Sequence, residues 1–234
     1  MKDMDYIIDC CEILTVELLN RIEYAKKNCK SFGVGVYSDE VAQQFLNHQP
    51  LRPYSERARL VNSIKGVDFV FKVTDTNNIC IVKENFAFIC SCNKKYHICY
   101  APGTYDLFHQ GHLEHLTEVA SMCDILVADA NEDALVMSYK NKKPMMSVHE
   151  RAAVLEKINI VDAVFVANTL DFPVANEWII NHYGSPIDAV FLGSDWEGKG
   201  FPNPETFNLQ YTYRDPKLME TRSSTFYRQQ LMKV

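Results

Sequence analysis

The feature that most constrains this chain is that it repeats itself. Residues 47–71, NHQPLRPYSERARLVNSIKGVDFVF, lie over residues 141–165, NKKPMMSVHERAAVLEKINIVDAVF, without a gap and at an offset of 94. Among the identical pairs are Pro50/Pro144, Glu56/Glu150, Arg57/Arg151, Ile64/Ile158, Asp68/Asp162 and Phe71/Phe165. Chance composition would supply only about one or two identities in such a stretch. The same offset brings ELLNRIEYAKKNC near HLEHLTEVASMC and SFGVGVYSDE over ILVADANEDA, with Asp39 on Asp133. The chain therefore reads as one ancestral unit used twice, residues 1–97 and 98–234. The first copy has no room for the tail that the second carries after Phe191.

Within the second copy the hydrophobic period alternates. YHICYAP is a buried-strand pattern, LEHLTEVASM has helical spacing and DILVADA is a strand. SVHERAAVLEKIN is a helix opened by Ser147, with Glu150 in capping-box position, and VDAVFVA is another strand. VANEWIINHYG has helical spacing and stops at Gly184, and IDAVFLGSD is a further buried strand. Strict alternation predicts an α/β fold, a Rossmann-like doubly wound parallel sheet duplicated in tandem, with ligands outside the carboxyl ends of the strands. The first copy predicts a strand near Tyr6–Ile8, a helix near Val16–Asn28 and a strand near Phe32–Tyr37.

Charge and cysteine content limit the partners. A net charge of −6 argues against a dedicated polyanion binder, so nucleic acid is excluded as the expected partner and any basic site must be local. The opening MKDMDYIIDCCEIL holds acidic residues and only a short apolar run, so neither a signal peptide nor membrane insertion is expected, and a cytoplasmic location is. Cys90, Cys92 and Cys99 form no CxxC pair and read as buried thiols on adjacent strands; no metal site is predicted.

GTYDLFHQGHLEHL places His109 and His112 where a strand hands over to a helix, three residues apart and flanking Gly111. A helix N-terminus presents amides and the positive end of its dipole to an anion, phosphate above all, and a glycine permits close approach. No Walker-type loop, GxGxxG or nucleophile elbow accompanies the pair. Direct in-line displacement at phosphorus is the chemistry left, catalysed by positioning and charge neutralisation. Lys140, Lys142 and Lys143 lie before the helix at Ser147 and would supply cations. In the first copy the equivalents of the histidines are Thr15 and Leu18, and those of the lysines are Leu46, His48 and Gln49. Two features lost together in one copy point to joint work in the other. His48, His97, His115, His149 and His182 have no such company and read as structural or surface residues.

Four stretches in order resemble a known family. GTYDLFHQGH, KNKKPMMSVHER, LGSDWEGK and RSSTFYR are similar to the signature segments of the cytidylyltransferases of the HxGH nucleotidyltransferase superfamily, over residues 98 to about 230. Within that family the likeness is greatest to the glycerol-3-phosphate branch. The resemblance implies transfer of CMP from CTP to a small phospho-alcohol, with glycerol 3-phosphate favoured, giving CDP-glycerol and pyrophosphate with Mg²⁺ assisting. It implies that His109 and His112 act at the α-phosphate, and that Lys140 and Lys142 hold the β- and γ-phosphates. Gly103, Thr104, Tyr105, Asp106 and Gly111 would lie against the nucleotide, Asp106 shaping the turn or helping to place the metal.

By the same resemblance Gly193 and Asp195 belong to the nucleotide site, Trp196 and Lys199 to the acceptor, and Ser223, Ser224 and Thr225 to the triphosphate or base. The signature arginine is Arg214 or Arg222, with YTYR favouring Arg214. Members of the family commonly dimerise, so a homodimer with the first half packing on the second is expected. Phosphoethanolamine and phosphocholine are alternative acceptors. Ser194 stands in place of the family's first aspartate, and Asn159 where a basic residue is usual, which keeps open a catalytically weak nucleotide-binding regulator.

Overall fold

A computed structural model describes residues 2–77, 79, 83–84, 94–199, 204–213 and 216–233. The chain divides into two compact units: residues 1–87 with 157–159 and 225–234, and residues 88–156 with 160–224. The boundary expected at 97/98 is thus crossed by two short pieces of the second half. The physical reason is specific pairing: Ile158 bridges antiparallel to Ile64, and Tyr227 donates its hydroxyl to Glu56 at 3.1 Å beneath the Arg52 guanidinium. Cys90, Cys92 and Arg214 lie outside the described residues.

The first unit runs β1 (Lys2–Asp9), α1 (Val16–Lys26), β2 (Cys29–Tyr37), α2 (Asp39–Leu46), α3 (Tyr54–Asn62), β3 (Phe69–Val73) and β4 (Lys83–Glu84). Its sheet has the order β1-β2-β3-β4, parallel except for β4. The three sequence-predicted elements are present, β1 and β2 longer than read and α1 two residues shorter. Unforeseen β4 pairs with β3 at an edge. Phe32, Val34 and Val36 of β2 and Val70 and Phe71 of β3 are wholly buried, which is what drives this sheet together.

The second unit runs β5 (Tyr96–Ala101), α4 (Gln110–Ala120), β6 (Cys123–Asn131), α5 (Asp133–Lys140), α6 (Val148–Glu156), β7 (Ala163–Ala167), α7 (Phe172–Tyr183), β8 (Ala189–Gly193), β9 (Leu209–Thr212) and α8 (Pro216–Thr221). α9 (Ser224–Leu231) follows. The sheet order is β7-β6-β5-β8-β9, parallel throughout. Order reverses between β5 and β8, the point at which a doubly wound sheet opens a crevice beyond its strand ends. Ile98 and Tyr100 of β5 pack with Val127, Val190 and Leu192 against Phe172, Ala175 and Ile179 of α7. Alternation turns Cys99 and Ala101, also buried, to the other face. α4 buries Leu113, Leu116 and Val119 at helical spacing.

Strand register agrees between the two units at an offset of 94. Gly33 opposite Phe69 through Tyr37 opposite Val73 has its counterpart 94 residues on, in Val127 opposite Ala163 through Asn131 opposite Ala167. Asp68 accepts the amide of Phe32 at 2.7 Å, and Asp162 that of Leu126 at 2.8 Å. Asn47 and Asn141 both end their helices in the left-handed conformation. Ser147 and Glu150 cap α6 reciprocally, the hydroxyl accepting from the Glu150 amide and the carboxylate accepting from the Ser147 amide. Pro53 holds the place of Ser147 in the first copy and offers neither group. Glu56, the counterpart of Glu150, is there buried and receives Tyr227 instead.

Candidate active site

The site is built at the end of β5. The chain leaves Ala101 and folds the Tyr105 ring back over Gly103, so that a Cβ at Gly103 would stand 2.7 Å from that ring. The Tyr105 hydroxyl donates to the Ala101 carbonyl at 3.1 Å. Tyr105 (φ 52°) and Leu107 (φ 51°) both take the left-handed conformation, uncommon for such side chains, and both are buried. This compact turn delivers His109 to the N-cap of α4, with Gly111 and His112 in its first turn.

The two imidazoles stack, centroids 3.7 Å apart and planes inclined by 23°. His109 is buried and His112 half-buried, its ring flanked by Tyr105 and Phe108. His109 Nδ1 accepts the Gly111 amide at 3.1 Å, which leaves the proton of a neutral ring on Nε2. That nitrogen is 3.4 Å from Ser224 Oγ, whose hydroxyl donates to the Asp106 carbonyl at 2.7 Å. The Gly111 amide expected to face a ligand is therefore occupied by the histidine itself. The acceptor nitrogen of His109 at the N-cap satisfies that donor internally.

Asp106 holds the lysine loop. Its carboxylate accepts the amides of Met145 and Met146 at 3.0–3.1 Å. Among the described residues no group of three or more His, Cys, Asp or Glu side chains could hold a metal ion.

Lys140, the last residue of α5, donates to Thr104 Oγ1 at 2.9 Å. The residue is exposed as a whole, but its ammonium sits among protein atoms, and that desolvation pushes its pKa down, with Asp195 and Asp106 opposing. Lys142 and Lys143 are exposed on the loop. Trp196 lies in the short 3₁₀ turn Ser194–Trp196 after Gly193, 5.6 Å from the Tyr139 ring, with the Lys199 ammonium 5.3 Å from its face. Thr104, Asn131, Tyr139, Lys140, Leu192 and Trp196 line a small recess. Arg222 approaches Glu114 at 3.8 Å, beside half-buried Ser223, and Thr225 is exposed in α9. A larger groove of about 440 Å³, between α7 and residues 186–187 and 206–207, contains none of the predicted residues.

Sequence reasoning missed Arg151, Asp129, Asn131 and Tyr139. Arg151 is wholly buried and ties the Thr104, Asn131 and Met146 carbonyls to the Asp133 carboxylate at 2.6–3.1 Å. Its signal was its identity with Arg57, which binds the matching groups of the first copy, the carbonyls of Cys10 and Arg52 and the Asp39 carboxylate. His115, read as structural, is buried and hydrogen-bonded to Thr212 at 2.6 Å.

A parallel sheet with stacked imidazoles at its switch point and a lysine tied to the turn before them is an arrangement suited to holding a phosphate group. The chain belongs to the cytidylyltransferase-like family, whose sequence pattern matches residues 100–207. It is 35% identical over 97 residues to glycerol-3-phosphate cytidylyltransferase of Bacillus subtilis (strain 168), covering 42% of this chain and 70% of that protein. It is 29% identical over 147 residues to the bifunctional protein HldE of Campylobacter concisus (strain 13826), covering 62% of this chain but 28% of that protein. FAD synthase of Thermococcus onnurineus (strain NA1) is 30% identical over 129 residues, covering 50% of this chain and 81% of that protein. Among the described residues no helix is long and apolar enough to cross a membrane.

Proposed function

We propose that the chain transfers CMP from CTP to a small phosphorylated alcohol, glycerol 3-phosphate, giving CDP-glycerol and pyrophosphate. The observation that carries this reading is the stacked His109–His112 pair at the N-terminus of α4. A phosphate oxygen of the acceptor attacks the α-phosphorus of CTP. The bond from that phosphorus to the bridging oxygen breaks, and pyrophosphate leaves with the electron pair. His109 and His112 donate hydrogen bonds to the charge that develops at the α-phosphate, and Lys140 and Lys142 neutralise the departing phosphates. Asp195 and Arg222, with Ser223, Ser224 and Thr225, complete the nucleotide side. Trp196 and Lys199 bound the acceptor. Further charge neutralisation would come from Mg²⁺ brought in with the nucleotide, an ion that keeps most of its water, rather than from these side chains. The first copy serves as an internal partner within a homodimer.

The likeness to glycerol-3-phosphate cytidylyltransferase supports the acceptor. Because the relatives are named for different products, CTP and ATP are both offered with glycerol 3-phosphate, phosphoethanolamine and phosphocholine, and pyrophosphate release is followed. Release with CTP and glycerol 3-phosphate above every other pair is expected. Preference for ATP, or for another acceptor, would replace the proposed substrates, and tight CTP binding with no release would favour a regulator.

A further inference from the structure

Behind Lys140 lies a run of polar side chains that no nucleotide contact explains. Lys140 Nζ donates to Thr104 Oγ1 at 2.9 Å, and Thr104 Oγ1 lies 3.0 Å from the Tyr139 hydroxyl. The Tyr139 hydroxyl donates to Asn131 Oδ1 at 2.8 Å, and Asn131 Nδ2 donates to Asp129 Oδ1 at 2.8 Å. Tyr100 donates to the other Asp129 oxygen.

With the Asn131 amide oriented oxygen to Tyr139 and nitrogen to Asp129, the hydrogen positions follow. The single Tyr139 proton goes to Asn131, so Thr104 must donate to Tyr139, and the Thr104 oxygen is left to accept from Lys140. Every donor then points the same way, from the ammonium to the buried carboxylate. Bonds in such a chain polarise one another.

The first copy supplies an internal control. At the same offset Thr104, Asp129, Asn131, Tyr139 and Lys140 become Cys10, Gly35, Tyr37, Phe45 and Leu46. There the Tyr37 and Phe45 rings stack at 4.8 Å, and Gly35 leaves no room for a Cβ against Phe71. Of the run only the tyrosine survives there, as Tyr6 in the place of Tyr100; the groups that link it to the lysine are all replaced, although Arg57, Asp39 and the strand register around them are kept.

We infer that Asp129, Asn131 and Tyr139 are positioning residues, which act through Thr104 to fix the Lys140 ammonium where a polyphosphate is bound. The binding of a polyphosphate rests on the proposed function; the fixing of the ammonium does not. A free lysine side chain must lose rotamer entropy on binding, and an ammonium already aimed has lost most of it beforehand.

The test needs no nucleotide. The full-length chain is labelled with limiting acetic anhydride at about pH 8, and acetylation of Lys140 is measured by peptide mass relative to exposed Lys142. Tyr139→Phe removes one hydroxyl from the middle of the chain and Asp129→Asn removes its charge. Each is expected to raise the Lys140:Lys142 ratio about threefold or more, as a fall of half a pKa unit would. Thr104→Ser keeps the hydroxyl and should leave the ratio at the wild-type value. A merely structural role would lower the unfolding temperature and leave the ratio unmoved in both variants, which overturns the inference. Should Asp129→Asn fail to fold, Tyr139→Phe decides alone. In turnover, KM for CTP should rise about three- to tenfold in Tyr139→Phe with kcat little changed, the loss expected of one hydrogen bond. Shifted ratios in the variants, alongside a wild-type protein that turns over no nucleotide, would sink the proposed reaction while leaving the positioning chain standing.

Discussion

Asp129 is the residue whose chemistry is most altered by the fold. It is 1% exposed, and burial raises its pKa to about 7, although Tyr100, the Gly103 amide, Arg151 and Asn131 all pull it down. A carboxyl that binds its proton more tightly folded than unfolded subtracts stability as pH climbs from the unfolded value towards the folded one. Between pH 5.5 and 8 the cost is about 2 kcal/mol. Thermal unfolding of Asp129→Asn should therefore improve relative to wild type as the pH is raised across that range. A difference independent of pH would show that the carboxyl is not perturbed. Ser224→Ala tests a contact of the site itself: it removes the hydroxyl that His109 Nε2 meets, and is expected to lower kcat about tenfold with little change in the unfolding temperature. The imidazole pair was legible because its residue types and spacing are local. Asp129 was not, since its partners Tyr100, Asn131 and Gly103 lie on two strands and a turn, and period alone makes it one more residue of a buried strand.

At the scale of elements, the repeat made the strands and helices readable, and the structure shows why. A hydrophobic pattern kept at constant offset preserves both register and caps, down to the Asp68 and Asp162 carboxylates that tie neighbouring strands. What could not be read is how an element is reused. Glu56 and Glu150 are the same letter at the same place, yet one is buried against Tyr227 and the other is an exposed cap. Only the change of Ser147 to Pro53 hinted at it. Ser147→Ala should cost about 1 kcal/mol of stability, the usual worth of such a cap, read by chemical denaturation. Arg151→Met should cost about 3–5 kcal/mol, because it strands a carboxylate and three carbonyls gathered by one guanidinium. If both cost the same, Arg151 does not organise the site turn.

For the molecule as a whole, two units share a strand plan, and one alone keeps the histidines, the lysine and the polar chain behind it. Binding stoichiometry follows: titration calorimetry should find one CTP per chain. Thr15→His with Leu18→His should leave it at one, because the first unit still has Leu46 and Gly35 where Lys140 and Asp129 stand. Two sites per chain would mean that the first unit is no degenerate copy. The fold class and the family's four signature segments were legible from the chain. The participation of residues 157–159 and 225–233 in the first unit was not, since nothing in Tyr227 announces that Glu56 will receive it. The most direct test of the whole account is pyrophosphate release from CTP and glycerol 3-phosphate by the protein carrying His109→Ala and His112→Ala. Loss of about a hundredfold or more in kcat, with CTP still bound, is predicted; turnover equal to wild type would contradict it.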